Sequence, residues 1–406
     1  MTEPVIPLDD AGWWQDPYPS LNEAREQHRT ARTPDGLPVF LRWADAEAIK
    51  KSSDFENNGL EALDERGFEP GDPLYEWRRH SIGARNGADH QRLRSLVNRA
   101  MTVRSTDRMR GAARGHVERA LRAGVDSSGH AEIDVRAAFR SSPFLVITEF
   151  LGIDLDAAME MASTMGNGSA DAFGPHVTPE IRERANQTFA VLMDFVGDLV
   201  EERRRAPRDD LLSALIDAEE AGSRLSHDEL VVLFTNIFGG AVESTLSAMT
   251  SVVYELARHP DQLSLLAADP DGFARGAVEE VLRHRPSFYA VGQRVARATS
   301  LAGVDLDVGD DITIIVGGPN RDPRRWDDPE RFDITRDPTV WSFTFSMGPH
   351  FCLGQALART ELQETASAVA RLCTDLEVVE PPRWKPFSMV NQVEELRVRY
   401  RYLGTT

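Results

Sequence analysis

Cys352 is one of only two cysteines in 406 residues, and its neighbours give it chemistry. It lies in Phe345-Ser346-Met347-Gly348-Pro349-His350-Phe351-Cys352-Leu353-Gly354. Glycine lets a backbone turn tightly and approach a flat ligand closely. A thiolate at the mouth of such a loop can bind iron axially and push electron density toward O–O cleavage. The residues that follow, Gln355 to Leu362, read as the start of a helix, whose positive N-terminal end favours a thiolate. Phe, Gly, His and Cys number 18, 29, 10 and 2 here, so F-x-x-G-x-H-x-C-x-G would arise by chance roughly once in 10⁵ such chains. A lone cysteine is otherwise most often a small buried hydrophobe. The glycines and histidine around this one point to a ligand instead.

This segment resembles the haem-binding loop of the cytochrome P450 family, in the form typical of soluble bacterial members. The resemblance implies haem b, with Cys352 binding the iron and Phe345, Gly348, His350 and Gly354 forming the cradle. Three further motifs extend it. Glu280-Val281-Leu282-Arg283 puts Glu and Arg on one helical face. In the family this E-x-x-R is buried behind the haem and completed by an arginine further on; Asn320 to Asp333 is similar to the family's loop of that type. Such a pair serves fold integrity, because losing one partner strands the other charge.

Gly239-Gly240-Ala241-Val242-Glu243-Ser244-Thr245 is similar to the family's A-G-x-[acid]-T-T, above the iron. There an acid and a hydroxyl relay protons, and a local helix distortion makes room for O2. The resemblance thus implies catalytic roles for Glu243, Ser244 and Thr245. Ser244 replaces the usual threonine, keeping the hydroxyl and losing the methyl that stiffens it. Gly240-Ala241 stands where Ala-Gly is usual. The bland alternative is that both hydroxyls bond back to helix carbonyls. His90 and Arg94, four apart on one helical face, match the family's H-x-x-x-R clamp on the haem propionates. Arg294 looks like its further arginine, in a stretch from Arg283 one residue longer than usual. Where many relatives have another propionate-binding histidine, this chain has Ser342, preceded by Trp341.

The elements that must position these groups are mostly helices. Asp89 to Met101 carries Leu93, Leu96, Val97 and Ala100 on one face. Ser226-His227-Asp228-Glu229 is a capping box that opens a long helix, stopped near His259 by Pro260. Its mostly uncharged middle, Val231 to Val253, suits full burial. A second helix runs from about Phe273 to Arg283, ended by Pro286. Leu37 to Trp43 reads as a strand with Pro38 near its start. Gly303 to Asp310 and Ile312 to Val316 read as a hairpin. Leu396, Val398, Tyr400 and Tyr402 alternate with arginines, as in a strand with one buried face. The expected fold is mainly α with small β-sheets. It is a cytochrome P450 fold in one catalytic domain over residues 1–406, with haem between the long central helix and the helix after the cysteine.

A net charge of −19 favours solubility and argues against general nucleic-acid binding. Arg92, Arg94, Arg99, Arg104 and Arg359 could form a local basic patch for an acidic electron donor. No signal peptide, spanning apolar stretch or disulfide framework is visible. A cytoplasmic monomer without membrane attachment is expected. Candidate pocket residues are Phe234, Phe238, Ala241, Phe288, Tyr289, Val291, Phe387 and Met389, with Ser169 to His176 as a mobile lid. An apolar pocket suits a hydrophobic small molecule. The resemblance implies a monooxygenase using O2 and electrons from NAD(P)H through a separate reductase and a ferredoxin or flavodoxin, since the chain has no flavin or iron–sulfur motif. A peroxide-driven enzyme and a haem sensor are the alternatives. Glu243 beside Ser244 argues against both.

Overall fold

A computed structural model describes residues 3–166, 172, 177–220 and 223–404. Of the expected lid, only Ala172 is among them; the rest lies outside the described residues. The chain forms two compact units. The first comprises residues 1–56, 107–143 and 243–406, the second residues 57–106 and 144–242.

The strands among the described residues are β1 (Thr30–Arg32), β2 (Pro38–Phe40), β3 (Phe55–Glu56), β4 (His130–Asp134), β5 (Glu219–Glu220), β6 (Ser223–Arg224), β7 (Ala290–Val295), β8 (Thr299–Leu301), β9 (Val304–Leu306), β10 (Asp311–Ile315), β11 (Cys373–Val378) and β12 (Arg397–Tyr402). In the first unit, β1-β2-β10-β7-β3 form one sheet and β11-β12-β4 another. In the larger sheet β10 lies parallel to β2 and antiparallel to β7.

Two expectations are corrected here. The strand expected over Leu37 to Trp43 is only Pro38–Phe40, and Trp43 opens a helix, Trp43–Lys51. The Trp43 amide donates to the Asp322 carboxylate at 2.9 Å, which satisfies one of the amides that a helix start leaves without a partner. The expected hairpin also re-pairs. β9 folds back on β8 through Ala302 and Gly303, both at positive φ (57° and 86°), the backbone a two-residue hairpin turn requires. β10 is thereby released to the centre of the larger sheet.

The long helix runs His227–Arg258. Its capping box forms: the Glu229 amide donates to Ser226 Oγ at 3.1 Å and the Ser226 amide to Glu229 Oε2 at 2.9 Å. Pro260 opens the next helix rather than continuing this one. The stretch around Gly239-Gly240 is α-helical. Glycine lowers helix propensity but keeps its N–H, so the ladder continues. This helix is long and apolar enough to cross a membrane by length and composition alone. Its apolar second half is spent inside the first unit instead. Leu246, Met249, Val252, Val253 and Leu256 pack there with Val281, Leu282, Leu362, Val369, Val398 and Tyr400. Each such side chain contributes about 1.5–3 kcal/mol by leaving water.

The helix bearing the E-x-x-R motif is Pro270–His284, capped by Asp269, which accepts from the Gly272 amide. Arg397–Tyr402 buries Val398 and Tyr400 on alternate positions, as expected. In the second unit, Gly87–Ala100 buries His90, Leu93, Leu96, Val97 and Ala100, and Trp77 donates to Thr235 Oγ1 at 2.7 Å.

Candidate active site

The cysteine loop is built from its first residue. Phe343 is fully buried, and its amide donates to Asn320 Oδ1 at 2.7 Å. One helical turn later, Ser346 turns the chain at φ 60°, ψ −163°. Gly348 follows at φ 71°, and a Cβ there would lie 2.2 Å from the Lys50 carbonyl oxygen, so only glycine fits. The Phe351 amide donates to Gly348 O at 3.1 Å and the Cys352 amide to Phe345 O at 3.0 Å. Gly354 then caps the helix Gln355–Leu372, and a Cβ on it would meet nothing within 4 Å. His350 is half-buried in the loop.

The two cysteines differ sharply. Cys352 is exposed, and Cys373 is buried. Burial pushes the Cys373 thiol up to about 12, which leaves it inert as a ligand. Among the described residues no cluster of His, Cys, Asp or Glu could hold a metal ion. A porphyrin would bring its own nitrogen ligands to an iron held at Cys352.

Around the loop, Trp341 stacks on Phe351 at 5.5 Å with planes 6° apart. The Arg359 guanidinium lies over Trp341 and Phe345, at 4.7 and 4.5 Å from their centroids. It also grips Glu279 with two hydrogen bonds, 2.5 and 3.1 Å long. Arg359 is thus spent inside the protein, which corrects its expected place in a docking patch. Arg92 is likewise held, by Glu229. Arg99 and Arg104 are exposed. Ser342, where a propionate histidine is usual, is nearly buried, and its hydroxyl donates to Thr344 Oγ1 at 3.2 Å.

The E-x-x-R pair is fully buried. Arg283 Nε and Nη2 each donate to Glu280 at 2.7 Å. The same guanidinium donates to the carbonyls of Asn320, Pro329 and Arg331. The completing arginine is Arg336, whose Nε is 3.2 Å from Glu280 Oε1. It lies just past the stretch that the sequence singled out.

On the long helix, Gly239 and Gly240 are exposed, Ala241 to Ser244 are half-buried, and Thr245 is buried. Glu243 Oε1 accepts a hydrogen bond from Arg136 Nη2 at 2.6 Å. Sequence reading missed Arg136, because nothing in the local spacing marks it.

His90 and Arg94 lie in the second unit, on consecutive turns of Gly87–Ala100. Burial first, and the Arg94 charge second, hold the His90 imidazole below its usual range, so it stands as a neutral donor near pH 7. Arg294 belongs to the first unit, on β7, with Nη1 3.6 Å from Asp311.

The pocket candidates belong to both units. Phe234 and Phe238 are buried, and Phe238 meets Phe144 edge-on at 6.0 Å. Val291 packs against the cluster of Phe40, Ile314 and Phe343. Tyr289 meets Trp14 edge-on at 4.7 Å, inside a core cluster. Phe288, Phe387 and Met389 are exposed, and the Tyr289 amide donates to Met389 O at 3.0 Å.

The model of the family described as Cytochrome P450 matches residues 65–268 and 273–372. The chain belongs to the cytochrome P450 family. It is 31% identical to the cytochrome P450 monooxygenase PikC of Streptomyces venezuelae, over 98% of this chain and 95% of that one. It is 35% identical to the 6-deoxyerythronolide B hydroxylase of Saccharopolyspora erythraea, over 69% of this chain and 67% of that one. The crystal structure of CalO2 superposes with a TM-score of 0.87 at 28% identity, covering 97% and 98% of the two chains. This P450 has the family fold, mostly helical with small sheets, and is a haem-dependent monooxygenase. Its own residues fit the haem: an exposed cysteine stands just ahead of a helix N-terminus, beside a glycine with open space over it.

Proposed function

We propose that this P450 inserts one oxygen atom of O2 into a large hydrophobic small molecule of the polyketide type, with haem b as cofactor. The observation that carries the haem assignment is Cys352, exposed ahead of Gln355–Leu372 while Cys373 is buried. The substrate class rests on the relatives' names, which include a 6-deoxyerythronolide B hydroxylase and an epothilone C/D epoxidase. Net conversion takes a C–H bond and O2 to an alcohol and water, consuming two electrons and two protons. The electrons come from NAD(P)H through a separate reductase and a ferredoxin or flavodoxin.

Bound haem supplies the activation of O2. The chain does the rest. Cys352 would supply the thiolate that holds the iron. His90, as a hydrogen-bond donor, and Arg94 and Arg294, as cations, hold the propionates. Glu243 and Ser244 pass protons inward, with Thr245 beside them. Glu280 and Arg283 keep the back of the site rigid. Phe238, Ala241 and Val291 are apolar groups for the substrate to meet, with Phe288, Phe387 and Met389 at the exposed surface. The reading includes one catalytic domain over residues 1–406, a cytoplasmic location and a monomer, the last favoured by the net charge of −19.

Two measurements test it. The reduced carbon monoxide complex should show the long-wavelength Soret band of thiolate ligation, and Cys352→Ser should remove it. Titration with macrolides, steroids, terpenoids and simple aromatics should shift the ferric spectrum with macrolides first. A wild type without the thiolate band would sink the haem assignment; a shift with simple aromatics alone would sink the substrate class.

A further inference from the structure

We propose that Arg136 is the positioning residue of the proton relay, holding Glu243 in a pose from which it can be released. The inference rests on the relay role given to Glu243 above. Arg136 stands in the first turn of the helix Val135–Phe139. Its backbone is fixed by Asp134, whose Oδ1 accepts from the Arg136 amide and from the Leu396 amide, both at 3.1 Å. The base of the arginine is thus tied to the junction of β4 with β12. Its tip reaches Glu243, 107 residues later in the chain, at 2.6 Å.

The form of this contact matters. Nη2 meets one carboxylate oxygen, whereas the forks on Glu280 and Glu279 each engage both oxygens. Arg136 Nη1 is buried with no acceptor among the described residues. The two side chains are 24% and 41% exposed, against 1% and 2% for Arg283 and Glu280. A single contact at a half-exposed site is a weak pair, and Glu243 has three side-chain torsions with which to leave it. A buried two-oxygen fork is a brace; this is a latch. It sits on the acid adjacent to the hydroxyl of Ser244, where a relay needs a group that is held between deliveries and freed during each one.

The test uses haem-loaded full-length protein with a plant-type ferredoxin, its reductase and NADPH. Arg136→Gln, Arg136→Lys, Glu243→Gln and the double variant Arg136→Gln/Glu243→Gln are compared with wild type. NADPH consumption is followed in H2O and D2O across pH, with the share of electrons lost as hydrogen peroxide. Arg136→Gln should slow the reaction about three- to tenfold, enlarge the solvent isotope effect and shift the pH profile. Haem content and thermal midpoint should stay unchanged. Arg136→Lys should restore most of the rate. The double variant should resemble Glu243→Gln alone, since both act through one carboxylate. A readout independent of turnover is the Glu243 carboxylate infrared band, found by difference against Glu243→Gln. It should move in Arg136→Gln and return toward wild type in Arg136→Lys.

If Glu243→Gln alters the isotope effect while Arg136→Gln matches wild type, or loses only haem or stability, the Arg136 proposal is overturned and the relay stands. Independent, multiplying effects in the double variant overturn it too. If Glu243→Gln changes neither isotope effect nor peroxide loss, the relay role fails and the Arg136 role falls with it.

Discussion

Ser346→Gly should make this P450 more stable, an unusual result for a substitution inside a cofactor loop. Ser346 sits at φ 60°, ψ −163°, in a region that essentially only glycine occupies without strain, and holding another residue there costs about 1–3 kcal/mol. Its hydroxyl is also buried without a hydrogen-bond partner among the described residues, a further cost of about 1–3 kcal/mol. Against these gains, glycine frees the unfolded chain by about 0.5–1 kcal/mol. Taking the lower ends of both gains, the net gain is about 1–1.5 kcal/mol. Unfolding entropy near the midpoint is about 2.1 cal/mol/K per residue, or about 0.85 kcal/mol/K for this chain, so the thermal midpoint should rise by about 1–2 °C. Thermal unfolding of haem-loaded protein, followed by circular dichroism, reads the shift. Ser346→Ala separates the two causes, because it removes the hydroxyl and keeps the Cβ. The strain argument requires glycine to exceed alanine in stability; an alanine variant equal to or above the glycine variant refutes it.

Arg283→Ala should cost about 3–5 kcal/mol by stranding Glu280 in the core; urea unfolding reads this, and a loss below about 1 kcal/mol would contradict the brace role. Lys50 is buried beside Gln293, and burial lowers its ammonium from the usual 10.5 to about 8. The unfolded chain therefore binds more protons between about pH 8 and 10.5, and stability should rise with pH across that window. Below it, the buried charge costs on the order of 3 kcal/mol. Lys50→Met should be more stable than wild type near pH 7, with the gap closing by pH 10.5, and a gap independent of pH in paired urea titrations would exclude this assignment. His90→Ala should speed haem transfer to apomyoglobin by about tenfold, by removing one propionate donor; an unchanged rate removes His90 from the haem site.

Sequence separation explains what could be read in advance. The cysteine loop, the capping box at Ser226 and the pairing of Glu280 with Arg283 all close within ten residues. Their geometry follows from turn and helix periods. Arg136 meets Glu243 across 107 residues, and Arg359 meets Glu279 across 80. Nothing periodic encodes such partners. A basic residue beside a motif therefore read as solvated or available for docking, when a distant carboxylate had already claimed it. The hairpin failed for a related reason. β9 and β10 both alternate apolar with polar residues and are adjacent in sequence, but the Ala302-Gly303 turn commits β9 to β8 and frees β10 for β2 and β7.

Burial then sorts the ion pairs by role. The Glu280–Arg283 fork is closed to water and held by three carbonyls and a second arginine. No small motion can open it without stranding a charge. The Arg136–Glu243 pair has one hydrogen bond and partial access to water. Either partner can be resolvated when it moves, so opening it is cheap. A proton carrier must change partners in each turnover, and a brace must never do so. The difference in burial therefore fits the proposed relay to the half-exposed stretch of the long helix and a scaffold role to the helix Pro270–His284, although both motifs are acid–base pairs of similar chemistry.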